Sequence, residues 1–426
     1  MLVMGDCEND GRVRREAATL AAHGFDVRVF GMASKGHGPG LSQIGTVTLE
    51  RLPAASVPQR LLGHLRRLGE GRGRQPAAQP PSVGAGRPHR RGVLWRLALR
   101  VHRPTLVLSY NHHAIRAVRR WGPDIVHAHD LPTLPAAAVI AGGTLPLLYD
   151  SHELWRHRNR SGQVRPVGRA VEAVIEGVLA PRAAVVFTVC DSIARWLHER
   201  YRLQRRPVVL RNLPDGEPAS SAGDLRSLAG ANDERLLLYT GRIMAGRGLE
   251  LAVSCLTSLP DDVVFVMLGY GDADYVAGLR RLAASRGVSG RVRHIGPVPP
   301  AEVVTVAAGA DVAYVVIEPV CLSYRYALPN KLFEAIAAGL PVLAADLPEI
   351  AQIVQEYGVG AVFRPGDCGS LRRALDSVLA SAPRYRLAAD RARETLNWRH
   401  EQRLLVEAYE SLPSAKRARP ERSTPR

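Results

Sequence analysis

Five short clusters in this chain crowd charged and hydrogen-bonding side chains at spacings suited to holding an anion or a sugar. The longest runs Ser323-Tyr324-Arg325-Tyr326-Ala327-Leu328-Pro329-Asn330-Lys331-Leu332-Phe333-Glu334 and continues through Gly339-Leu340-Pro341-Val342. Asn330 reads as a helix N-cap, and Gly339-Leu340-Pro341 as the stop before a strand. Unbonded amides and the positive dipole end favour an anion at a helix N-terminus, so the loop leading to Asn330 suits phosphate. Lys331 adds a point charge there. Glu334, one turn in, can accept hydrogen bonds from a pair of sugar hydroxyls. A second cluster, Tyr239-Thr240-Gly241-Arg242-Ile243-Met244-Ala245-Gly246-Arg247-Gly248, follows a β-rich run and offers Arg242 and Arg247 to the same kind of ligand. Val126-His127-Ala128-His129-Asp130 and Asp150-Ser151-His152-Glu153 close two neighbouring β-rich runs. Alternation sends His127 and His129 to one face, with Asp130 just past the strand end. The fifth cluster, Asp10-Gly11-Arg12-Val13-Arg14-Arg15-Glu16, lies near the start. Singly, each has a bland explanation: a surface Lys and Glu at i, i+3, arginines in a basic chain, structural histidines. Their shared place at strand ends gives them weight.

The elements that position these clusters alternate. Val13, Ala17, Leu20 and Ala21 repeat at helical spacing, and Gly24 stops that helix. β-rich runs fall at residues 2–4, 26–30, 46–52, 124–128, 146–150, 184–189 and 207–210, with helix-compatible segments between most of them. Residues 214–233 are turn-rich and poor in large apolar side chains, as a linker should be. A second series follows at 236–240, 263–268, 292–295, 311–317, 341–345 and 361–363. Strands alternating with helices predict parallel sheets covered on both faces. The fold class expected is therefore α/β, two doubly wound Rossmann-like domains facing a cleft, with ligands at the carboxyl ends of the strands. The expected domains are 1–213, with a disordered Gly/Pro/Arg insertion at 69–92, then 234–395, a closing helix at 396–412 and a basic disordered tail at 413–426.

Composition bounds the rest. A chain of 426 residues exceeds what one core usually serves. The net charge of +17 favours polyanions, but Lys35, Lys331 and Lys416 are the only lysines, and arginine dominance of that kind often reflects coding-DNA composition. No recognition-helix or stacking pattern supports nucleic-acid binding. Cys7, Cys190, Cys255, Cys321 and Cys368 lack metal-ligand or redox spacing, so reduced thiols in a cytoplasmic protein are expected. No basic-then-apolar leader is visible. The apolar stretch from Pro132 to Tyr149 is broken by Pro135, Gly142, Gly143 and Pro146, and reads as helix, loop and strand rather than a membrane span. Asp272-Ala273-Asp274 has metal-site spacing, yet after Leu268-Gly269-Tyr270-Gly271 its simplest role is to cap the next helix. No metal site is expected.

On the 323–334 and 239–248 segments the chain resembles the retaining glycosyltransferases of family four, in the group with an Asn-Lys-x-Phe-Glu signature. The resemblance extends from about Asp10 to about Leu412 and implies a GT-B fold. It implies transfer of a sugar from a nucleoside-diphosphate-sugar donor, a substrate rather than a cofactor, with retention and without metal. Glu334 would hold the donor ribose, Arg242, Arg247 and Lys331 its diphosphate, with Ser323 and Asn330 completing the donor site. Tyr326 stands where the wider family often has a second Glu. In Asp150-Ser151-His152-Glu153 the resemblance assigns His152 to the transferred sugar, with Asp150 beside it. Asp10, Arg12, His129, Asp130 and Glu153 would line the acceptor side. The diphosphate itself would help remove the acceptor proton, so no enzyme nucleophile is required.

The acceptor could be a sugar, a lipid-linked compound or a small metabolite. Basic-apolar runs at Arg60, Leu61, Leu62, Leu65, Arg66, Arg67 and Leu68, and at Leu94, Trp95, Arg96, Leu97, Leu99 and Arg100, suit peripheral contact with an anionic inner-membrane face. The rival readings are a nucleotide-sugar epimerase, a phosphorylase or a donor-binding homologue without catalysis. A phosphorylase would need a cofactor lysine and a longer chain. An epimerase would need acid/base carboxylates around the sugar, and the sequence identifies none.

Overall fold

The computed structural model describes residues 1–7, 10–34, 36–57, 59, 92–159, 166–214 and 224–413, and of 92–101 the backbone alone. The expected disordered insertion, apart from Gly92, and the tail beyond Pro413 lie outside the described residues. So do both basic-apolar runs, the second for its side chains. By its contacts the chain forms two compact units: Met1–Asp150 with Val178–Ala184 and Glu410–Arg426, and Ser151–Gly177 with Val185–Tyr409. Contacts thus divide the chain at Ser151, ahead of the boundary expected at residue 213. The residues after Ser151 bond to later ones: Cys190 Sγ donates to the Tyr326 carbonyl, Ser192 N–H to Glu349, and Arg211 N–H to Glu401.

In the first unit, β1 (Arg28–Met32) and β3 (Val47–Leu52) pair in parallel, and β2 (Gly40–Ile44) joins β3 antiparallel. β4 (Val126–His129) pairs in parallel with β5 (Leu147–Ser151). Leu2 bridges Phe30 on one side and Ala128 on the other, which links the two sets. From Leu2 the chain therefore winds outward in both directions, and the strand ends beside Leu2 lie at the point where strand order reverses. β4 and β5 are buried throughout, as strands covered on both faces must be. The long helix Gly92–Trp121 contributes Tyr110, whose hydroxyl donates to the Phe30 carbonyl.

In the second unit, β6 (Val185–Thr188) pairs with β7 (Val208–Val209) in parallel. Six further strands, β8 (Arg235–Thr240), β9 (Val263–Leu268), β10 (Val292–Ile295), β11 (Val312–Val315), β12 (Val342–Ala345) and β13 (Gly360–Phe363), form one parallel sheet. Its order is β10-β9-β8-β11-β12-β13. The winding reverses between β8 and β11, so the carboxyl ends of these two strands mark the place for a ligand. The core mixes aliphatic side chains with Phe265 and Tyr314: all six residues of β9 and all four of β11 and β12 are buried.

Three expectations change. The stretch 214–233 is not all linker, because Asp224 caps a helix Leu225–Ala229 whose Leu225 and Ala229 are buried. β2 had no counterpart in the sequence reading. The cysteines are not all thiols: Cys255 and Cys368, 113 residues apart, form a disulfide, while Cys7, Cys190 and Cys321 are free. The closing helix is present as Trp398–Glu410, with Trp398 N–H bonded to the Pro214 carbonyl. Among the described residues no helix is long and apolar enough to cross a membrane.

Candidate active site

The second unit assembles a cationic cradle at its switch point. Beyond β8 the backbone turns at Gly241, where φ is +104°, and passes Gly269, where φ is +150° and a Cβ would strike the Gly241 carbonyl. Only glycine permits that approach. The turn exposes Arg242, whose carbonyl accepts from the Tyr239 hydroxyl at 2.7 Å. The next turn is fixed by Glu318 N–H donating to the Gly246 carbonyl (3.0 Å) and the Tyr314 hydroxyl to that of Gly248 (2.8 Å). It presents Arg247 with its guanidinium 5.1 Å from the centre of the Tyr324 ring.

Lys331 enters from the helix Asn330–Ala337. Its Nζ lies 3.7 Å from the centre of the Tyr239 ring, is shielded from water and donates to no partner among the described residues. Burial first, and then Arg247, hold this ammonium well below the usual lysine range. Glu334, one turn on, accepts from the Thr240 hydroxyl at 3.4 Å. No carboxylate among the described residues is ion-paired with Arg242, Arg247 or Lys331. Arg247 and Lys331 against aromatic rings, with Arg242 exposed on the turn after β8, suit a diphosphate, and Glu334 sits one helical turn from Lys331.

Asn330 is not the N-cap. Pro329, held at φ −78° and ψ 143°, occupies that position, and Asn330 is the first helical residue, exposed. A proline has no side-chain acceptor, so the first amides of this helix receive no side-chain cap. Ser323 is buried, and its hydroxyl donates to Glu153 at 3.2 Å. The structure thus joins a residue expected on the donor side to one expected on the acceptor side. Glu153 also lies 3.8 Å from Arg158. His152 is half-buried directly after β5.

The first unit holds a different cluster. Asp10 caps the helix Gly11–Ala22 through Val13 N–H, which sends Arg12 inward. Arg12 donates twice to Asp150, at 2.7 and 2.8 Å, and lies 2.9 Å from Glu16 one turn along its helix. Both carboxylates keep the Arg12 guanidinium charged in spite of burial, raising its pKa. His129 stands between the acids, 3.5 Å from Asp150 and 4.0 Å from Glu16. His127, on the same face with ring centres 4.3 Å apart, is driven toward its neutral form by burial and then by His129. Asp130 takes φ +61° just past β4, and its N–H bonds the Asp150 carbonyl. Arg12 and His129, expected on the acceptor side, therefore come together with Asp150, expected beside His152.

Glu16 and His127, quoted in the clusters but given no site role, also belong here: Glu16 by its i, i+4 spacing from Arg12, and His127 by the alternation in β4. Among the described residues, Glu16, His127, His129 and Asp150 bring ligand atoms within 4.8 Å of one another, a donor set that could hold a metal ion. The cation that both carboxylates already bond is Arg12. The Asp272 carboxylate accepts from the amides of Asp274 and Tyr275 and caps the helix Ala273–Ser285, as expected.

Two family models match in tandem: "Glycosyl transferase 4-like domain" over residues 11–212 and "Glycosyl transferases group 1" over 224–395. A D-inositol 3-phosphate glycosyltransferase of Nocardia farcinica is 26% identical over 333 residues, covering 72% of this chain and 71% of that protein. The enzyme of the same name from Mycobacterium bovis is 27% identical over 184 residues, 42% of this chain and 37% of its own length. Among solved structures, sucrose-phosphate synthase from Thermosynechococcus elongatus superposes with TM-score 0.70 at 18% identity, covering 97% of this chain and 98% of that one. Anabaena HepE in complex with UDP-glucose gives TM-score 0.65 at 15% identity, covering 96% and 98%. The chain belongs to the family-four glycosyltransferases and has the GT-B fold. It is a glycosyltransferase.

Proposed function

We propose that this enzyme moves a hexosyl group from a nucleoside-diphosphate sugar to a hydroxyl of a sugar, lipid-linked or small-metabolite acceptor, retaining the anomeric configuration and using no metal. The observation that carries the proposal is the cradle of Arg242, Arg247 and Lys331, three cations without an ion-paired carboxylate among the described residues, at the switch point of the second sheet. In the reaction the glycosidic bond to the diphosphate breaks, and negative charge grows on the leaving phosphate. Fixed cations that meet that charge stabilise the transition state more than the ground state. Glu334 holds the ribose hydroxyls, and the unit-charged diphosphate oxygen takes up the acceptor proton as the new bond forms on the same face. Ser323 and the N-terminal turn at Asn330 shape the donor site. His152 supports the oxocarbenium-like carbon. Asp150, doubly bonded to Arg12, acts by holding Arg12 and His129 in place toward the acceptor, together with Asp10 and Asp130, while Glu153 fixes Ser323.

Incubation with a panel of nucleotide sugars, following nucleoside diphosphate release with inositol phosphate as a first acceptor, tests the activity. Calorimetric titration with UDP and GDP tests the site. Glu334→Ala should weaken the better nucleotide by about 1.5–3 kcal/mol, the worth of a charged hydrogen-bond acceptor. An unchanged affinity would remove Glu334 from the donor site.

A further inference from the structure

The helix Pro166–Leu179 is amphipathic, and it is packed with its polar side inward. Glu176 is its buried residue and accepts a 2.6 Å hydrogen bond from the Tyr201 hydroxyl. Gly177 faces the ring of the same tyrosine. The outward side carries Val167, Val171, Val174 and Val178, exposed by 76, 52, 64 and 49%. Spacings of four, three and four residues bring these valines into one stripe along the helix. Pro166 and Ala170 are exposed beside them, and no charged residue of the helix is exposed. A helix that covers a core does the reverse, so this stripe is built to be covered by something else.

Charge identifies the cover. From Leu154 to Arg182 the sequence has six arginines against two glutamates, one of them the buried Glu176. Arg182 is exposed at the end of the helix, and Arg195, Arg200 and Arg202 are exposed on or just past the neighbouring helix Asp191–Tyr201, with Glu199 as their exposed acid. Arg156, Arg169 and Arg200 lie close enough to His157 to lower its pKa, after burial. Arg158 stacks over Trp155. An exposed apolar stripe on a segment with this excess of arginine matches the boundary of an anionic bilayer, where apolar side chains enter below the headgroups and cations meet phosphate. A second copy fits poorly: two chains of net charge +17 repel. The stripe, about 21 Å long and ~10 Å wide, also falls well short of the ~1,200 Å² that a stable dimer buries.

We propose that the valine face of the helix Pro166–Leu179 is a docking surface for an anionic lipid bilayer. It involves residues other than the basic-apolar runs at 60–68 and 94–100, and vesicle binding is read without turnover, so it stands apart from the proposed reaction. The test is co-sedimentation of the full chain at low salt with phosphatidylcholine vesicles, with and without a quarter of phosphatidylglycerol. Wild-type protein should pellet with the mixed vesicles alone and be released as salt rises. Val171→Asp with Val174→Asp should lower that affinity at least about tenfold by placing charge in the apolar layer. Both positions already face solvent, so the melting temperature and UDP affinity should not move; Val171→Ser with Val174→Ser is the milder pair if they do. Wild-type protein left in the supernatant overturns the proposal, as does equal binding by the variants. Lipid-free dimerisation that the aspartates abolish, without vesicle binding, would replace the bilayer by a second copy.

Discussion

The buried cluster of the first unit and the cradle of the second both gather charge at a sheet's switch point, and they handle it in opposite ways. In the first, Arg12 bonds Asp150 and Glu16 at 2.7–2.9 Å with every side chain dry. In the second, Arg242 is exposed and Arg247 and Lys331 face aromatic rings, with no carboxylate among the described residues ion-paired to the three. Charge that is matched internally contributes order, because desolvation largely offsets the attraction and leaves little for a ligand. Charge left against a ring is held in place and stays available. The first site is thus a framework, and the second is where binding energy waits.

The largest effect that can break this contrast comes from Arg12. Arg12→Ala strands two buried carboxylates and should cost about 3–5 kcal/mol of stability in urea unfolding followed by tryptophan fluorescence. Nucleoside diphosphate affinity of the folded protein should not change. Weaker nucleotide binding with full stability would show that the first cluster also helps to hold the donor.

Much of this was legible in the sequence because parallel strands covered on both faces are unbroken apolar runs, as in Val263–Leu268. β2 escaped because Gly-Leu-Ser-Gln-Ile is largely exposed and has no such run. The cradle cations were readable from their place after β8 and before a helix. Their platforms, Tyr239 and Tyr324, were not, since stacking depends on ring orientation. The Cys255–Cys368 link was invisible for the reason that no local spacing encodes contact between residues 113 apart. The first cluster was half legible: Arg12, His129 and Asp150 stood out by type, whereas nothing local shows that Glu16 turns inward to Arg12. Nor does type alone reveal that Pro329, extended at ψ 143°, displaces Asn330 from the cap.

Lys331 sharpens the comparison from the other side. Burial and Arg247 hold its pKa well below the usual lysine range, so the free cradle holds this proton less tightly than water-exposed lysines hold theirs. An arriving diphosphate favours the ammonium and raises the pKa, so binding takes up a proton. Affinity should therefore fall as pH rises through the window between the lowered free pKa and the higher bound one. Calorimetry in buffers of different ionisation heat reads the proton directly. Lys331→Met should abolish the uptake and weaken UDP by about 1.5–3 kcal/mol. Uptake that persists in the variant would assign the proton elsewhere.

The smallest effect concerns Asp272, and it tests whether protein cations or a metal hold the phosphates. The Asp272 carboxylate accepts from Asp274 N–H at 3.0 Å and Tyr275 N–H at 3.2 Å, which satisfies two of the orphan amides of the helix Ala273–Ser285. An oxygen engaged in this way favours the helix start, and the positive dipole end holds the carboxylate there. Asp272→Ala should accordingly cost about 1 kcal/mol of stability, the usual worth of an N-cap. Turnover should stay at the wild-type level, and EDTA should leave both proteins active. Loss of turnover in a variant that keeps its stability, together with inactivation of the wild type by EDTA, would mean that Asp272-Ala273-Asp274 gathers a metal. The charge that Arg242, Arg247 and Lys331 are held ready to meet would then be met by an ion, and the second unit, like the first, would owe its cations to structure.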